Sequence, residues 1–164
     1  MGGEETMAKK LTIPLELKHD FSFKGYTKTM IGFLYVIREK FGAAAALECI
    51  DRLFNMEDRV KNLTNTLLTI FKIKGNDTEA ILDFLNVWWE LTEIEGTWPE
   101  RAKTMSRIKI TKCPWKTVYK DISDWALSWF NIVTKTINPK ATVERPKGMC
   151  AGDPFCEYIF RIEE

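Results

Sequence analysis

Residues 115–137, WKTVYKDISDWALSWFNIVTKTI, carry the clearest helical pattern of this sequence. Its apolar residues recur at three- and four-residue spacings, which is typical of an amphipathic helix with one buried face. Cys113-Pro114 precedes the stretch and Asn138-Pro139 follows it. Because proline is favoured at a helix start and disfavoured inside a helix, these pairs mark its two ends. The sequence therefore predicts one long amphipathic helix.

Strand patterns lie on both sides of this helix. Apolar and polar residues alternate over residues 105–111, and residues 140–147 and 154–163 have strand patterns joined by a turn at residues 151–154. Alternation with a period of two is typical of a strand with one buried face. On the last strand one face carries Cys156, Tyr158, Phe160 and Ile162. We expect these strands to form an antiparallel sheet.

The first part of the chain has mainly helical periodicity. Four segments carry apolar residues at helical spacing: residues 26–41, 43–54, 60–71 and 78–91. Thr78 is the expected cap of the fourth helix, and residues 95–99 are expected to break it. Earlier, residues 11–17 alternate apolar and polar positions, which predicts a short strand or an extended arm.

The predicted fold class is α+β, with N-terminal helices packed with a C-terminal antiparallel sheet and one long amphipathic helix. We expect residues 1–10 to form a flexible tail and residues 11–164 to form a single domain. A composition of 45% apolar residues is enough for a buried core and excludes wholesale disorder.

Charge and hydropathy exclude several classes of partner. Lys and Arg number 24 and Asp and Glu 23, so a net charge of +1 indicates neither a nucleic acid nor an acidic membrane as partner. No apolar run reaches the roughly 18 residues of a membrane span. The N-terminus lacks an apolar signal core, which predicts a cytoplasmic protein. Four cysteines are too few for a disulfide scaffold.

Cys113 allows two interpretations. At the N-cap of the long helix, free backbone amides and the helix dipole would stabilise a thiolate and lower its pKa. Alternatively, Cys113 is a small, buried and unreactive residue at the end of a strand. The sequence leaves both interpretations open, because the pKa depends on solvent exposure.

A second group of candidate residues surrounds the final turn. Cys150 and Cys156 flank it, and could meet as metal ligands or as a reversible disulfide, whereas Cys156 also suits the core. Glu144 precedes the turn and is by default a solvated strand residue. A twist or bulge near Pro146 would turn Glu144 towards the cysteines. Cys113, Glu144, Cys150 and Cys156 would then offer three sulfurs and one oxygen to zinc or iron.

The aromatic residues are candidates for a ligand pocket. Trp125, Trp129 and Tyr158 are the side chains that we expect to line an apolar pocket, and core packing is the alternative for the tryptophans at helical spacing.

These C-terminal elements resemble the L-2-amino-thiazoline-4-carboxylic acid hydrolase-like family. The resemblance rests on Cys113-Pro114, on Thr142-Val143-Glu144 and on the segment AGDPFCEY at residues 151–158, and it covers roughly residues 105–163. The Gly-Asp-x-x-Cys-x-aromatic ending is also similar to 4-vinyl reductase-like small-molecule-binding domains.

The resemblance implies an α+β ligand-binding fold, often dimeric, that encloses a small organic molecule between helices and sheet. In some 4-vinyl reductase-like domains a zinc is held by three cysteines and a glutamate, and the resemblance implies Cys113, Glu144, Cys150 and Cys156 here, although the family's first turn cysteine lies nearer the position of Gly148 than of Cys150. The expected partners are therefore a small organic ligand and a second copy of the chain.

Two functions follow as hypotheses. The first is a binding module with a pocket between helices and sheet, beside a cysteine cluster that is structural or holds a metal. The second is a hydrolase that opens a small C–N heterocycle. In the second, Cys113 acts as nucleophile or a metal activates water, while Glu144 or Asp153 moves the proton.

Overall fold

The computed structural model describes residues 14–54, 56–116 and 125–163. Over these residues it has five α-helices and four strands, with the helices mainly N-terminal and the sheet C-terminal, so the predicted α+β class is confirmed. The elements are α1 Leu15–Phe41, α2 Ala43–Phe54, α3 Glu57–Ile70, α4 Thr78–Thr92, β1 Glu95–Arg101, β2 Met105–Lys112, α5 Trp125–Ile137, β3 Ala141–Lys147 and β4 Cys156–Ile162, with a 3₁₀ turn at Met149–Ala151.

The sheet is antiparallel, in the order β1-β2-β4-β3. In the central pair, Ile108 lies opposite Tyr158 and Ile110 lies opposite Cys156. Since side chains alternate between the faces of a strand, these four residues share one face. All four are buried, and α4 and α5 contact the sheet strands. The core therefore lies between two helices and one face of the sheet.

Strand β1 was not predicted. Residues 95–99 were expected to end the fourth helix, and α4 does end at Thr92, but residues 95–101 also form a strand that pairs with β2. The pairing shifts register twice, and β1 is an edge strand, where a proline costs no central hydrogen bond. At Gly96 a Cβ atom would lie 2.8 Å from the Trp89 ring, so this position needs glycine.

The start of the chain also differs from the prediction. Leu15 and Leu17 belong to helix α1 and not to a strand, whereas residues 11–13, like the predicted tail at residues 1–10, lie outside the described residues. Leu15 is 81% exposed and Leu17 is 57% exposed, so their alternation marks no buried strand face. The predicted helix at residues 26–41 is confirmed and begins earlier.

The cap of α4 is Asp77 and not Thr78. The Asp77 carboxylate accepts a hydrogen bond of 3.0 Å from the Ala80 N–H. Thr78 is buried, and its hydroxyl lies 2.9 Å from the Ser106 hydroxyl of β2. Thr78 therefore joins helix to sheet.

The described part of the long helix is α5, which ends at Ile137 as predicted. Asn138 donates its N–H to the Thr134 carbonyl at 2.9 Å, which closes the last turn. Residues 114–116 form a turn and not the predicted first turn of the helix, and residues 117–124 lie outside the described residues, so the point where the helix begins stays a prediction. Across the described ranges, none of the helices combines the length and apolarity that crossing a bilayer requires.

Candidate functional site

A cavity of about 70 Å³ lies between the inner sheet face and helices α4 and α5. It is lined by Trp88, Ile94, Ile110, Cys113, Trp115, Ala126, Trp129, Phe130, Arg145, Cys150, Cys156 and Tyr158. Five of the predicted site residues are in this set: three cysteines, Trp129 and Tyr158. Glu144 and Asp153 do not line the cavity, and Trp125 begins α5 with its side chain outside the described part.

The sheet register brings the three thiols to one end of the fold. Cys113 follows β2 directly, and Cys156 begins β4 opposite Ile110 of β2. Cys150 lies in the 3₁₀ turn that leads into β4. Because β2 and β4 are neighbours, residues 113 and 156 lie at the same edge although they are far apart in sequence.

Hydrogen bonds from backbone N–H groups hold the turn before β4. The Met149 N–H donates to the Cys156 Sγ at 3.2 Å, which ties the thiol to the turn. The Gly148 N–H donates to the Asp153 carboxylate at 2.8 Å. Gly152 adopts a φ of 105°, which favours glycine. Asp153, predicted to move a proton, therefore stabilises the turn.

Arg145 is the charged residue of the cavity, and the sequence reasoning missed it. Its guanidinium donates a hydrogen bond to the Tyr158 hydroxyl. The guanidinium also packs over Gly148. A Cβ atom added at residue 148 would lie 3.4 Å from the Arg145 guanidinium carbon. A signal was present in the sequence: Arg145 continues the alternation of the apolar residues Ala141 and Val143, and side chains at alternate positions share one face of a strand.

Glu144 lies on the opposite face of β3 and does not turn towards the cysteines. Its carboxylate accepts a hydrogen bond from Arg161, and both side chains are about half exposed. The register does shift between Glu144 and Lys147, as a bulge near Pro146 would require. However, this irregularity lies beside Arg145, which faces the cavity. In the described ranges, no group of three or more His, Cys, Asp or Glu residues is placed to hold a metal ion.

Burial disfavours the thiolate form of all three cysteines. It raises the pKa of Cys113 from 9.0 to about 12, although the N–H groups of Trp115 and Lys116 act in the opposite direction. Burial also raises the pKa of Cys150 and of Cys156, while the Arg145 charge lowers both. The lowered pKa expected for an N-cap thiolate is not found, and Cys113, which is half-buried, agrees with the second interpretation in having an unreactive thiol.

Aromatic rings form the apolar walls of the cavity. The centroids of the Trp88 and Trp129 rings lie 4.9 Å apart. The Phe130 ring lies 5.4 Å from Trp129 and 4.3 Å from Tyr158, centroid to centroid. Contacting rings therefore run from α4 through α5 to the phenol of Tyr158, beside Arg145.

Two further spaces open on the helical side. An outer groove of about 330 Å³ is lined by Tyr26, Leu53, Arg59, Val60, Leu63, Trp88 and Trp129. A more polar groove of about 490 Å³ lies between α3 and α5 and contains the Glu57–Lys61 ion pair, which is solvent-exposed. The outer groove adjoins the thiol cavity, because the two share Trp88 and Trp129.

The chain is similar to known proteins in structure and not in sequence. No protein-family model matches this sequence, and no curated protein matches it. A trafficking protein particle complex subunit 3 from Naegleria fowleri, covalently bound to palmitic acid, is similar with a TM-score of 0.59 and 12% identity. That likeness covers 88% of this chain and 97% of the other.

The phenol-responsive sensory domain of the transcription activator PoxR, solved with phenol, is similar with a TM-score of 0.52 and 12% identity. The likeness covers 83% of this chain and 74% of that one. These likenesses show a shared fold. They support the small α+β fold implied by the sequence resemblance, while membership of a hydrolase or reductase-like family stays a prediction.

Proposed function

We propose that the protein binds a small organic molecule at the thiol-lined cavity. The apolar body of the ligand lies among the aromatic walls, and an oxygen that is anionic or accepts hydrogen bonds meets Arg145 and Tyr158. One observation carries this proposal: a guanidinium, a phenol and three thiols converge on one cavity whose other walls are apolar.

The chemistry of the lining supports a ligand of this kind. Small-molecule sites are concave and mostly apolar, with a few polar groups that orient the ligand. Because most of the cavity wall is apolar, the positive charge of Arg145 attracts a negative oxygen more strongly than it would at a fully exposed position. Palmitic acid and phenol, named with the two similar structures, each combine an apolar body with an oxygen.

The proposal is tested by calorimetric titration with benzoate and with benzylamine, which have similar shapes and opposite charges. We expect benzoate to bind and benzylamine to bind more weakly. Arg145→Gln should weaken benzoate binding by about tenfold or more, the loss typical of a hydrogen bond to a charged group.

The matched control is Arg161→Gln, which removes an arginine from the outer face of the same hairpin. It should leave benzoate affinity unchanged. Equal benzoate affinity in wild type and Arg145→Gln would overturn the proposed ligand chemistry, and so would tighter binding of benzylamine than of benzoate.

The zinc or iron prediction does not fit the arrangement of side chains. Three thiols line the cavity and are soft donors, but the cationic Arg145 lies among them and Glu144 binds Arg161. We therefore derive no chemistry through a metal. Metal analysis of the purified protein checks this point, since near-stoichiometric zinc or iron would show that the thiols bind metal.

The hydrolase hypothesis receives no support from the geometry. Cys113 has a pKa of about 12, so its thiol is a poor nucleophile at neutral pH. The predicted proton carriers are engaged elsewhere, Glu144 with Arg161 and Asp153 with the Gly148 N–H. A binding module is the function that the site favours.

We also propose that residues 11–164 act as one cytoplasmic domain that pairs with a second copy. Support for a homodimer comes from exposed apolar side chains on α1 and α2. They are Phe33, Tyr35, Val36, Phe41, Leu47 and Leu53.

A further inference from the structure

The thiol cavity and the outer groove are separated by two indole rings. Among the described lining residues, Trp88 and Trp129 are the two that border both spaces. Their ring centroids lie 4.9 Å apart with an interplanar angle of 32°, so the rings contact each other. The pair thus divides one apolar region into an inner and an outer part.

The two parts differ in what they can hold. The inner cavity, about 70 Å³, is smaller than the roughly 150 Å³ of an engineered protein cavity that takes up benzene. A ligand with one ring therefore enters only if a wall side chain moves. The outer groove, about 330 Å³, is in the size range of small-molecule sites, roughly 300–1,000 Å³, and has room for a displaced ring.

Trp88 is the wall residue best placed to move. Trp129 is only 7% exposed and its ring also contacts Phe84 and Phe130, which hold it in the core. Trp88 is half-buried, and the next residue of α4, Trp89, points instead into the stack with Trp98. The Trp88 indole borders the groove, so a rotation towards the groove enlarges the cavity.

We propose that Trp88 is a movable partition that determines ligand size. With its indole in the position seen here, it closes the cavity against the groove. When the indole turns into the groove, a ligand held by Arg145 extends past it into the apolar space beyond. This inference rests on the proposed function, because it assumes that the ligand's oxygen lies at Arg145.

Truncation of the indole tests the proposal directly. Trp88→Ala joins the two spaces without changing Arg145, so a two-ring carboxylate gains apolar burial that a one-ring carboxylate does not use. The probes are benzoate and 2-naphthoate, titrated into wild type and variants. We expect the ratio of 2-naphthoate to benzoate affinity to rise by about tenfold in Trp88→Ala, as the second ring becomes buried. Trp88→Phe should give a smaller rise.

The matched control is Trp98→Ala. Trp98 is also a half-buried tryptophan of the core, it stacks on Trp89 at 4.4 Å, and it lines neither space. Its truncation should leave the affinity ratio unchanged. An equal rise in Trp98→Ala would mean general loosening of the fold and would overturn the partition. Circular dichroism checks that each variant folds. If Trp88→Ala does not fold, the affinity ratio measured for Trp88→Phe tests the partition.

The possible failures are distinguishable. If wild type binds benzoate through Arg145 but removing the Trp88 indole leaves the ratio unchanged, the partition is wrong and the proposed function stands. If neither carboxylate binds to wild type or to a folded Trp88 variant, the proposed function is wrong and the partition falls with it.

Discussion

At the scale of single residues, Cys113 shows how burial can outweigh local backbone effects. The N–H groups of Trp115 and Lys116 favour the thiolate, yet loss of solvent raises the pKa to about 12. Removing water from the thiolate costs more free energy than hydrogen bonds from two backbone N–H groups recover, so the pKa rises. The sequence allowed for both effects on the Cys113 pKa, but which one is larger depends on how the folded chain packs around residue 113.

The raised pKa makes the reactivity of Cys113 a quantitative prediction. A pKa of about 12 instead of 9.0 reduces the thiolate fraction at neutral pH by about a thousandfold. Labelling of Cys113 by iodoacetamide at pH 7.5 should therefore be at least about a hundredfold slower in native protein than in urea. The rate should climb about tenfold per pH unit above neutrality, because the thiolate fraction does.

Peptide mass spectrometry of timed samples measures this rate. Labelling of native Cys113 within tenfold of the rate in urea, or a rate that is constant between pH 7 and pH 9, would contradict the burial argument.

At the scale of elements, the turn between β3 and β4 positions the site. Gly152 has a φ of 105°, and its N–H donates to the Met149 carbonyl at 3.1 Å, which ends the 3₁₀ turn. This local geometry, together with Asp153, holds Cys150 and Cys156 at the cavity. Gly and Asp favour turn conformations that most other residues adopt less readily, so a turn of this kind can be predicted from the sequence.

Two glycine substitutions should have opposite effects on stability. Gly152→Ala forces a Cβ into a positive φ and should lower the free energy of unfolding by about 1 kcal/mol or more. Gly32→Ala lies inside helix α1 with no atom within 4 Å of the new Cβ. It should raise the free energy of unfolding by about 0.5–1 kcal/mol.

Urea denaturation followed by circular dichroism measures both changes. A Gly152→Ala protein as stable as wild type would show that the left-handed turn is not required. Destabilisation by Gly32→Ala would indicate that this face of α1 is covered by something that has no room for a methyl group.

At the scale of the whole molecule, helix α1 has several apolar side chains that the described part of the chain does not cover. Leu34 and Ile37 face the core, whereas Phe33 is 59% exposed, Val36 is 50% exposed and Phe41 is 71% exposed. Large apolar patches on soluble proteins often mark contact surfaces. This surface is the physical basis for the proposed homodimer.

Sedimentation equilibrium tests the dimer. We expect a mass of twice one chain for wild type, and a shift towards one chain for Phe33→Glu, since a buried unpaired charge destabilises an interface. The control Leu91→Glu changes an exposed apolar residue of a different helix, α4, and should leave the mass unchanged. A wild-type mass of one chain at all concentrations would overturn the homodimer.

The α+β class, most helices and three of the four described strands could be predicted from the sequence. These features follow from periodicity, prolines and turn residues, which act over short distances along the chain. The folded structure was needed to show that Arg145 and not Glu144 lines the cavity with the thiols, that the pKa of Cys113 is raised, and that Trp88 borders both the cavity and the outer groove. Strand register and burial decide these points, and both depend on segments distant in sequence that pack together only in the folded chain.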